Sequence, residues 1–352
     1  MANNMILNEQ TFFGNDEIKI VNELLKSNND DRILFISNSK DKQNIINKIK
    51  NIKIIEHVVD CEENIYDIYE RIIELINKEK IKFVVCCGKR NLINIGKLIS
   101  NLNKNIHAIL IPTEELWFSS KTYNYYQLDE KTMRYSFGDN TLYKNMSVII
   151  DYNLIKEMPK QELLENCIDT LYMSIENYND DDSWLMKDIF NINSCSLLCK
   201  NVTKILNNSK FSLEEIACSL FLCGAGTINS QNFSLMTKLA LELYCKDISD
   251  DVFKIVFPYY IKYKLQRNKS IINNLTKALS IEFDEKDCIE MIIRKINLFN
   301  KSIGLPKKLS NINFPKELIP TIAKQIINNM NSSNQKININ EEEIIDIFKS
   351  AY

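Results

Sequence analysis

Histidine is nearly missing from this sequence. Only His57 and His107 occur in 352 residues, and none follows them. That excludes any imidazole-ligated metal and any histidine-based triad built from the last two thirds of the chain. Glycine (7) and proline (6) are also scarce, so no glycine-rich phosphate loop is written in full. Long apolar runs are lacking. The longest, such as Met146–Ile150 and Ile255–Tyr260, fall far short of a membrane span. Neither sign of charge dominates, with a net charge of -2 and no basic face that would call for nucleic acid. The opening MANNMILNEQ has no basic region and no apolar run, unlike a signal peptide. A cytoplasmic protein with no membrane and no nucleic-acid partner is expected.

What is present is an ordinary globular mixture, with 45% apolar and 26% charged residues. The abundance of Asn, Ile and Lys reads as coding bias. Ten cysteines occur, but no pair has C-x-x-C spacing, and most have apolar neighbours. They read as small buried hydrophobes. Cys86 and Cys87 end a strand and so point to opposite faces, which prevents them from sharing one metal. His57 lies mid-strand and His107 at a strand start, neither with a partner at ligand spacing.

Two textures divide the chain. Up to about Asp151, short apolar runs (RILFIS, IIEHVV, IKFVVCCG, HAILIP, NMSVIID) alternate with amphipathic stretches (IKIVNELLKS, KQNIINKIK, ENIYDIYERIIELINKE, NLINIGKLISNL). That alternation predicts a mostly parallel sheet with helices on both faces. YNYYQLDEKTMRY, Tyr123–Tyr135, predicts a hairpin lying between the two domains. From Lys160 onward every apolar pattern has helical period. Ser212 with Glu215 and Asn340 with Glu343 have the spacing of capping boxes. The expected architecture is an α/β Rossmann-like domain over 1–152 followed by an all-helical domain over 153–352.

From about Phe12 to Tyr352 this layout resembles the iron-containing alcohol dehydrogenase and glycerol dehydrogenase superfamily, with dehydroquinate synthase as a more distant relative. KFVVCCGKRNLINIGKLIS stands where the family has a strand, a three-glycine turn, a Ser and a helix with Asp and Ala-Lys. Gly88 matches the first glycine. Lys89 and Arg90 replace the next two, Asn91 replaces Ser, Asn94 replaces Asp, and Gly96-Lys97 stands for Ala-Lys. In the family this turn holds the dinucleotide pyrophosphate. HAILIPTEELWFSSK resembles a second landmark, with Ile111, Pro112, Thr113 and Ser119 in place. Glu114 to Phe118 are bulky or acidic where the family has small residues, and Ser120 replaces Glu.

The metal landmarks depart further. In ENCIDTLYMSIENY, Asp169 fits the family's metal-binding Asp, Met173 stands at the His position one turn on, and Glu176 fits a nearby acid. The next two histidine positions fall near Leu235 or Met236 and near Ile248 or Ser249. The C-terminus matches again, with Gly304, Pro306 and the closing SAY.

The resemblance therefore implies a preserved scaffold with a rewritten site. It implies Asp169 and Lys97 as candidates for chemistry, and Gly88, Lys89, Arg90, Asn94, Thr113 and Ser119 on the cofactor side. NAD or NADP is the implied cofactor, no metal is expected, and the ligand is a dinucleotide or small molecule in the cleft. A homo-oligomer is compatible with it. Three readings follow: a metal-free relative with weak or lost dehydrogenase activity, an active NAD(P)-dependent oxidoreductase on a small alcohol, polyol or aldehyde, or a metal-free lyase or isomerase.

Overall fold

The computed structural model describes residues 10–27, 32–38, 45–50, 52–59, 65–103, 105–113, 126–129, 131–137, 145–178, 184–227, 233–282, 287–332 and 338–352. The chain divides into two compact units, Met1–Met158 and Pro159–Tyr352.

The first unit is built on a six-stranded parallel sheet in the order β1-β8-β5-β4-β2-β3. Its strands are β1 (Gln10–Gly14), β2 (Arg32–Ser37), β3 (Lys53–Val58), β4 (Phe83–Gly88), β5 (His107–Pro112) and β8 (Met146–Asp151). The predicted runs form β2, β3, β4, β5 and β8, while β1 was not predicted; β4 and β8 are buried along their whole length, as a sheet covered on both faces requires. Exposure rises only in the edge strands β1 and β3, and His57 sits on the latter. His107 opens β5, where its Nε2 lies 2.8 Å from Ser147 Oγ, which in turn donates to Gln10 Oε1 at 2.7 Å. One polar chain thus ties three adjacent strands.

Covering helices include α1 (Ile20–Ser27), α2 (Ile65–Glu79) and α3 (Arg90–Leu102). Of the predicted helix over 42–50, only the last part lies within the described residues. Helix α3 approaches the sheet closely because Gly96 has no side chain. A Cβ there would sit 2.4 Å from Leu110 Cδ2 and 3.0 Å from Cys86 Sγ. The short α4 (Tyr152–Glu157) starts on Asp151, whose buried carboxylate accepts from Asn153 N at 2.9 Å, Asp16 N at 3.2 Å and Ile18 N at 3.3 Å. That single side chain closes the end of β8 onto the end of β1.

The hairpin exists as β6 (Tyr126–Asp129) and β7 (Arg134–Phe137), paired antiparallel. Its place differs from expectation. It lies inside the first unit rather than between units, because β8 follows it and returns the chain to the sheet between β1 and β5.

The second unit is helical: α5 (Lys160–Asn177), α6 (Leu185–Leu206), α7 (Leu213–Ala225), α8 (Phe233–Tyr244), α9 (Ser249–Arg267), α10 (Ile272–Ala278), α11 (Cys288–Ser302), α12 (Ile319–Ser332) and α13 (Glu341–Ala351). SWLMKDIF and SCSLLCKNVTKIL form one helix, α6, instead of two. The polar NIN between them does not break it, because buried Asn191 donates to Lys187 O at 3.0 Å and to Gly226 O at 2.9 Å. Asn340 and Glu343 make a full capping box. Ser212 caps α7 by accepting from Glu215 N at 3.1 Å, but the Glu215 carboxylate turns to Lys200 and Asn201. Among the described residues no helix is long and apolar enough to cross a membrane.

Candidate functional site

Two sets of residues deserve a chemical reading, one in each unit. In the first unit the strand order reverses between β2 and β4: the chain leaves β2 toward β3 on one side and builds β4, β5 and β8 on the other. Ligands of such sheets bind beyond the strand C-termini at this switch point. Gly88, the last residue of β4, lies there with φ 147°, a conformation open to glycine, and a Cβ would meet Leu92 Cδ1 at 2.4 Å. Its carbonyl accepts from Thr113 N at 3.1 Å, joining the ends of β4 and β5. Lys89 is exposed at the N-cap of α3, and Arg90 opens the helix. Gly88, Lys89, Arg90 and Thr113 are therefore brought together. Ser119 lies outside the described residues, as do Glu114 to Phe118 and Ser120.

Asn94 and Lys97 are placed differently. Both are buried within α3. The Asn94 amide is committed to the hairpin, donating to Tyr126 O at 2.6 Å and accepting from Tyr126 N at 2.9 Å. Burial holds the Lys97 amine well below the ordinary lysine range. The Arg90 guanidinium lies 6.0 Å from the centroid of the Tyr126 ring, so it packs against the same hairpin. Sequence reading missed Ser37, which ends β2 opposite Cys87. Ser37 is buried, and its hydroxyl has no hydrogen-bond partner among the described residues. Its signal was available: a polar residue ending an otherwise apolar strand.

In the second unit, Asp169 on α5 is buried at 8% exposure and faces two lysines. Lys238 Nζ, from α8, lies 2.9 Å from Asp169 Oδ2. Lys254 Nζ, from α9, lies 3.3 Å from Asp169 Oδ1. Lys238 also reaches Asp250 Oδ1 at 3.2 Å and sits 5.1 Å from the Phe253 ring centroid. Both lysines are nearly inaccessible, at 2% and 3%. Carboxylates surround the cluster. Burial, then the charges of Asp250, Glu165 and Asp169, hold the Asp251 carboxyl above its usual range, while Lys254 pulls it down.

Beside the cluster, Tyr172 is closed off from chemistry. Its ring stacks on Phe257 at 4.3 Å, and its hydroxyl donates to Asn300 Oδ1 and Ile296 O. Burial, and then Asp169, raise its pKa. Glu176 is buried further along α5, accepting from Ser234 N at 3.1 Å and from the Ser234 hydroxyl at the start of α8. Among the described residues no group of three or more His, Cys, Asp and Glu side chains is placed to hold a metal ion.

Residues 164–352, more than half of the chain, match the model of the Fe-containing alcohol dehydrogenase family, C-terminal. The chain belongs to the Fe-containing alcohol dehydrogenase family. It is 19% identical over 389 residues to lactaldehyde reductase of Escherichia coli (strain K12), covering 100% of both chains. The fold is that of a crystallised 1,3-propanediol oxidoreductase, at TM-score 0.86, 16% identity and full coverage of both chains. The NADH-dependent butanol dehydrogenase A of Thermotoga maritima superposes at TM-score 0.82 and 16% identity, over 99% of this chain and 98% of that one.

Of the residues that the sequence resemblance sets near the family's histidines, three pack in the core. Met173, Leu235 and Met236 are buried at 1%, 3% and 4% exposure. The Ser249 hydroxyl donates to Lys246 O at 3.0 Å. The two lysines against Asp169 lie three and five residues beyond the matched positions Leu235 and Ser249, and sequence reading did not anticipate them.

Proposed function

We propose that this chain is a divergent Fe-containing alcohol dehydrogenase in which metal-assisted alcohol oxidation is weak or lost, while the first unit keeps a corner suited to a dinucleotide. The observation that carries the reading is the apolar packing of Met173, Leu235 and Met236 at the matched ligand positions. A Lewis-acidic metal site takes several His, Asp or Glu donors. Here Asp169 stands as one carboxylate facing ammonium groups, which have no lone pair to give. The donor set does not fit the metal.

A dinucleotide fits better. Gly88 lets the backbone approach a pyrophosphate without a Cβ, the start of α3 turns the positive end of the helix dipole toward that place, and Lys89 adds positive charge. NAD or NADP bound there would supply the hydride acceptor. The chain's own residues then have to stabilise the alkoxide from which hydride leaves. One well-placed donor to such a charge is worth about 2.7–4 kcal/mol in a studied oxyanion hole. Around Asp169 the two ammonium charges are already matched by carboxylates, so little positive potential is left for an alkoxide. Slow or absent turnover follows.

The same lysines favour one other reading, an active NAD(P)-dependent oxidoreductase on a small alcohol, polyol or aldehyde with an ammonium as the electrophile. Assay of NAD(P)-linked oxidation of glycerol, butanol and 1,2-propanediol, and reduction of the matching aldehydes, in excess chelator separates the two. Rates far below the usual range of roughly 1–10³ per second support the first. Rates inside that range, lost in a K254M that remains folded at the assay temperature, establish the second.

A further inference from the structure

We propose that Lys238 and Lys254 together replace the divalent cation of the family, as two covalently held charges that neutralise Asp169 and cross-link α5, α8 and α9. The inference rests on the reading that metal-assisted chemistry is absent, and extends it to what occupies the cation's role. Two ammonium groups carry the formal charge of one divalent ion. They contact both oxygens of the one carboxylate that the family frame matches to a metal ligand, at 2.9 and 3.3 Å. They come from two further helices, so the cluster joins three elements, as a metal would. Lys238 extends the cross-link to Asp250 in the first turn of α9.

Burial makes these contacts matter. Side chains of Lys238, Lys254 and Asp169 are 2%, 4% and 11% exposed. A charge so buried is tolerated only when paired, and removing one partner of such a pair is strongly destabilising. Backbone geometry is fixed as well: Asn300 Nδ2 donates to Lys254 O at 2.6 Å, and Asn300 is itself held by the Tyr172 hydroxyl. A metal–carboxylate bond of about 2.0–2.2 Å would need the space next to oxygens that the ammonium groups already face. Binding would require both lysines to leave or lose a proton. The nearby carboxylates Asp250, Asp251 and Glu165 leave no surplus positive charge, so the cluster is a structural centre and not an anion site.

The test uses the full chain and does not depend on turnover. Urea unfolding is measured for wild type, D169N, K238M, K254M and the double variants D169N/K238M and D169N/K254M, with chelator or with Zn²⁺ or Co²⁺. The wild-type midpoint is expected to be the same in chelator and in metal. Each single variant is expected to unfold at lower urea, and each double variant to lose less than the two singles combined. Strictly additive losses, or an unchanged midpoint in D169N, would overturn the proposal while leaving the functional reading intact. If a lysine variant does not fold, titration of wild type with Co²⁺ decides. No saturable binding is expected, and one ion per chain, lost in D169N, overturns the replacement. Turnover in chelator without metal binding would instead sink only the functional reading.

Discussion

Asn94 holds Tyr126 by both halves of its peptide environment: the Asn94 amide donates to the Tyr126 carbonyl at 2.6 Å and accepts from the Tyr126 N–H at 2.9 Å. This is the geometry of a strand ladder supplied by a side chain. It fixes the β6–β7 hairpin onto α3, where the Tyr126 ring meets Tyr135 edge-on at 5.7 Å. In N94A two buried backbone groups lose their partner, at about 1–3 kcal/mol each. N94D keeps the acceptor but not the donor, and sets a charge against the Tyr126 carbonyl. Both variants are expected to unfold at lower urea than wild type. An N94A midpoint equal to wild type would remove the clamp from the account of this unit.

Gly88 is the second test of the same corner. Its φ of 147° disfavours any side chain, and Leu92 stands 2.4 Å from where a Cβ would be. Gly304 offers the control, with φ 85° and open space around it. Backbone strain of this kind costs on the order of 1–3 kcal/mol. G304A is expected to show that strain alone, whereas G88A adds the displacement of Leu92 and a shift of the turn. Thermal unfolding should therefore rank wild type above G304A and G304A above G88A. Only G88A should lose affinity for NAD⁺ in calorimetric titration. The reverse ranking would mean that the turn has room to move.

Much of this was legible from the residues. Unbroken apolar runs such as FVVCC and SVII can only be strands covered on both faces, and the helical period beyond Lys160 admits little else. The edge strand β1 was not legible. Its five residues are half exposed and pair with a strand more than a hundred positions away, and local pattern carries no trace of that. Nor were the lysines opposite Asp169. A lysine in a helix is normally a solvated residue, and its position relative to a matched histidine says nothing of where four methylenes can reach. Their one signal was context: Lys238 in LMTKLAL and Lys254 in VFKIVF sit within mostly apolar local runs.

Arg90 and Lys89 predict an anion response in the first unit. If the start of α3 receives a pyrophosphate, binding is partly electrostatic and weakens with salt. Titration with NAD⁺, NADPH and inorganic pyrophosphate at low and high salt is expected to show weaker binding at high salt for all three. R90A should bind more weakly than wild type and with a flatter salt response. Arg90 also packs on Tyr126, so unfolding of R90A has to be measured beside binding. Unchanged affinity in a folded R90A would place any nucleotide elsewhere.

Glu176 makes stability depend on pH in an unusual direction. Burial pushes its pKa from 4.5 up to about 7, against the downward pull of the Ser234 hydroxyl, the charge of Lys264 and the N–H groups at the start of α8. The Tyr260 hydroxyl faces the carboxylate at 3.3 Å from α9, and Lys264 donates to the Glu176 carbonyl. Between about pH 4.5 and 7 the folded chain keeps the Glu176 proton that the unfolded chain has released. The native state binds more protons there, so this group's contribution to stability falls as pH rises through that window and is constant outside it. At about 1.4 kcal/mol per pH unit the change is on the order of 3 kcal/mol at most. E176Q keeps an acceptor for Ser234 and cannot ionise. Other titrating groups are common to both proteins and cancel in the difference. Urea unfolding at pH 5 and pH 8 is therefore expected to show E176Q gaining on wild type at the higher pH. A difference between the two proteins that does not change with pH would mean that Glu176 is ionised in the native state at pH 5, with the Ser234 contacts and Lys264 outweighing its burial.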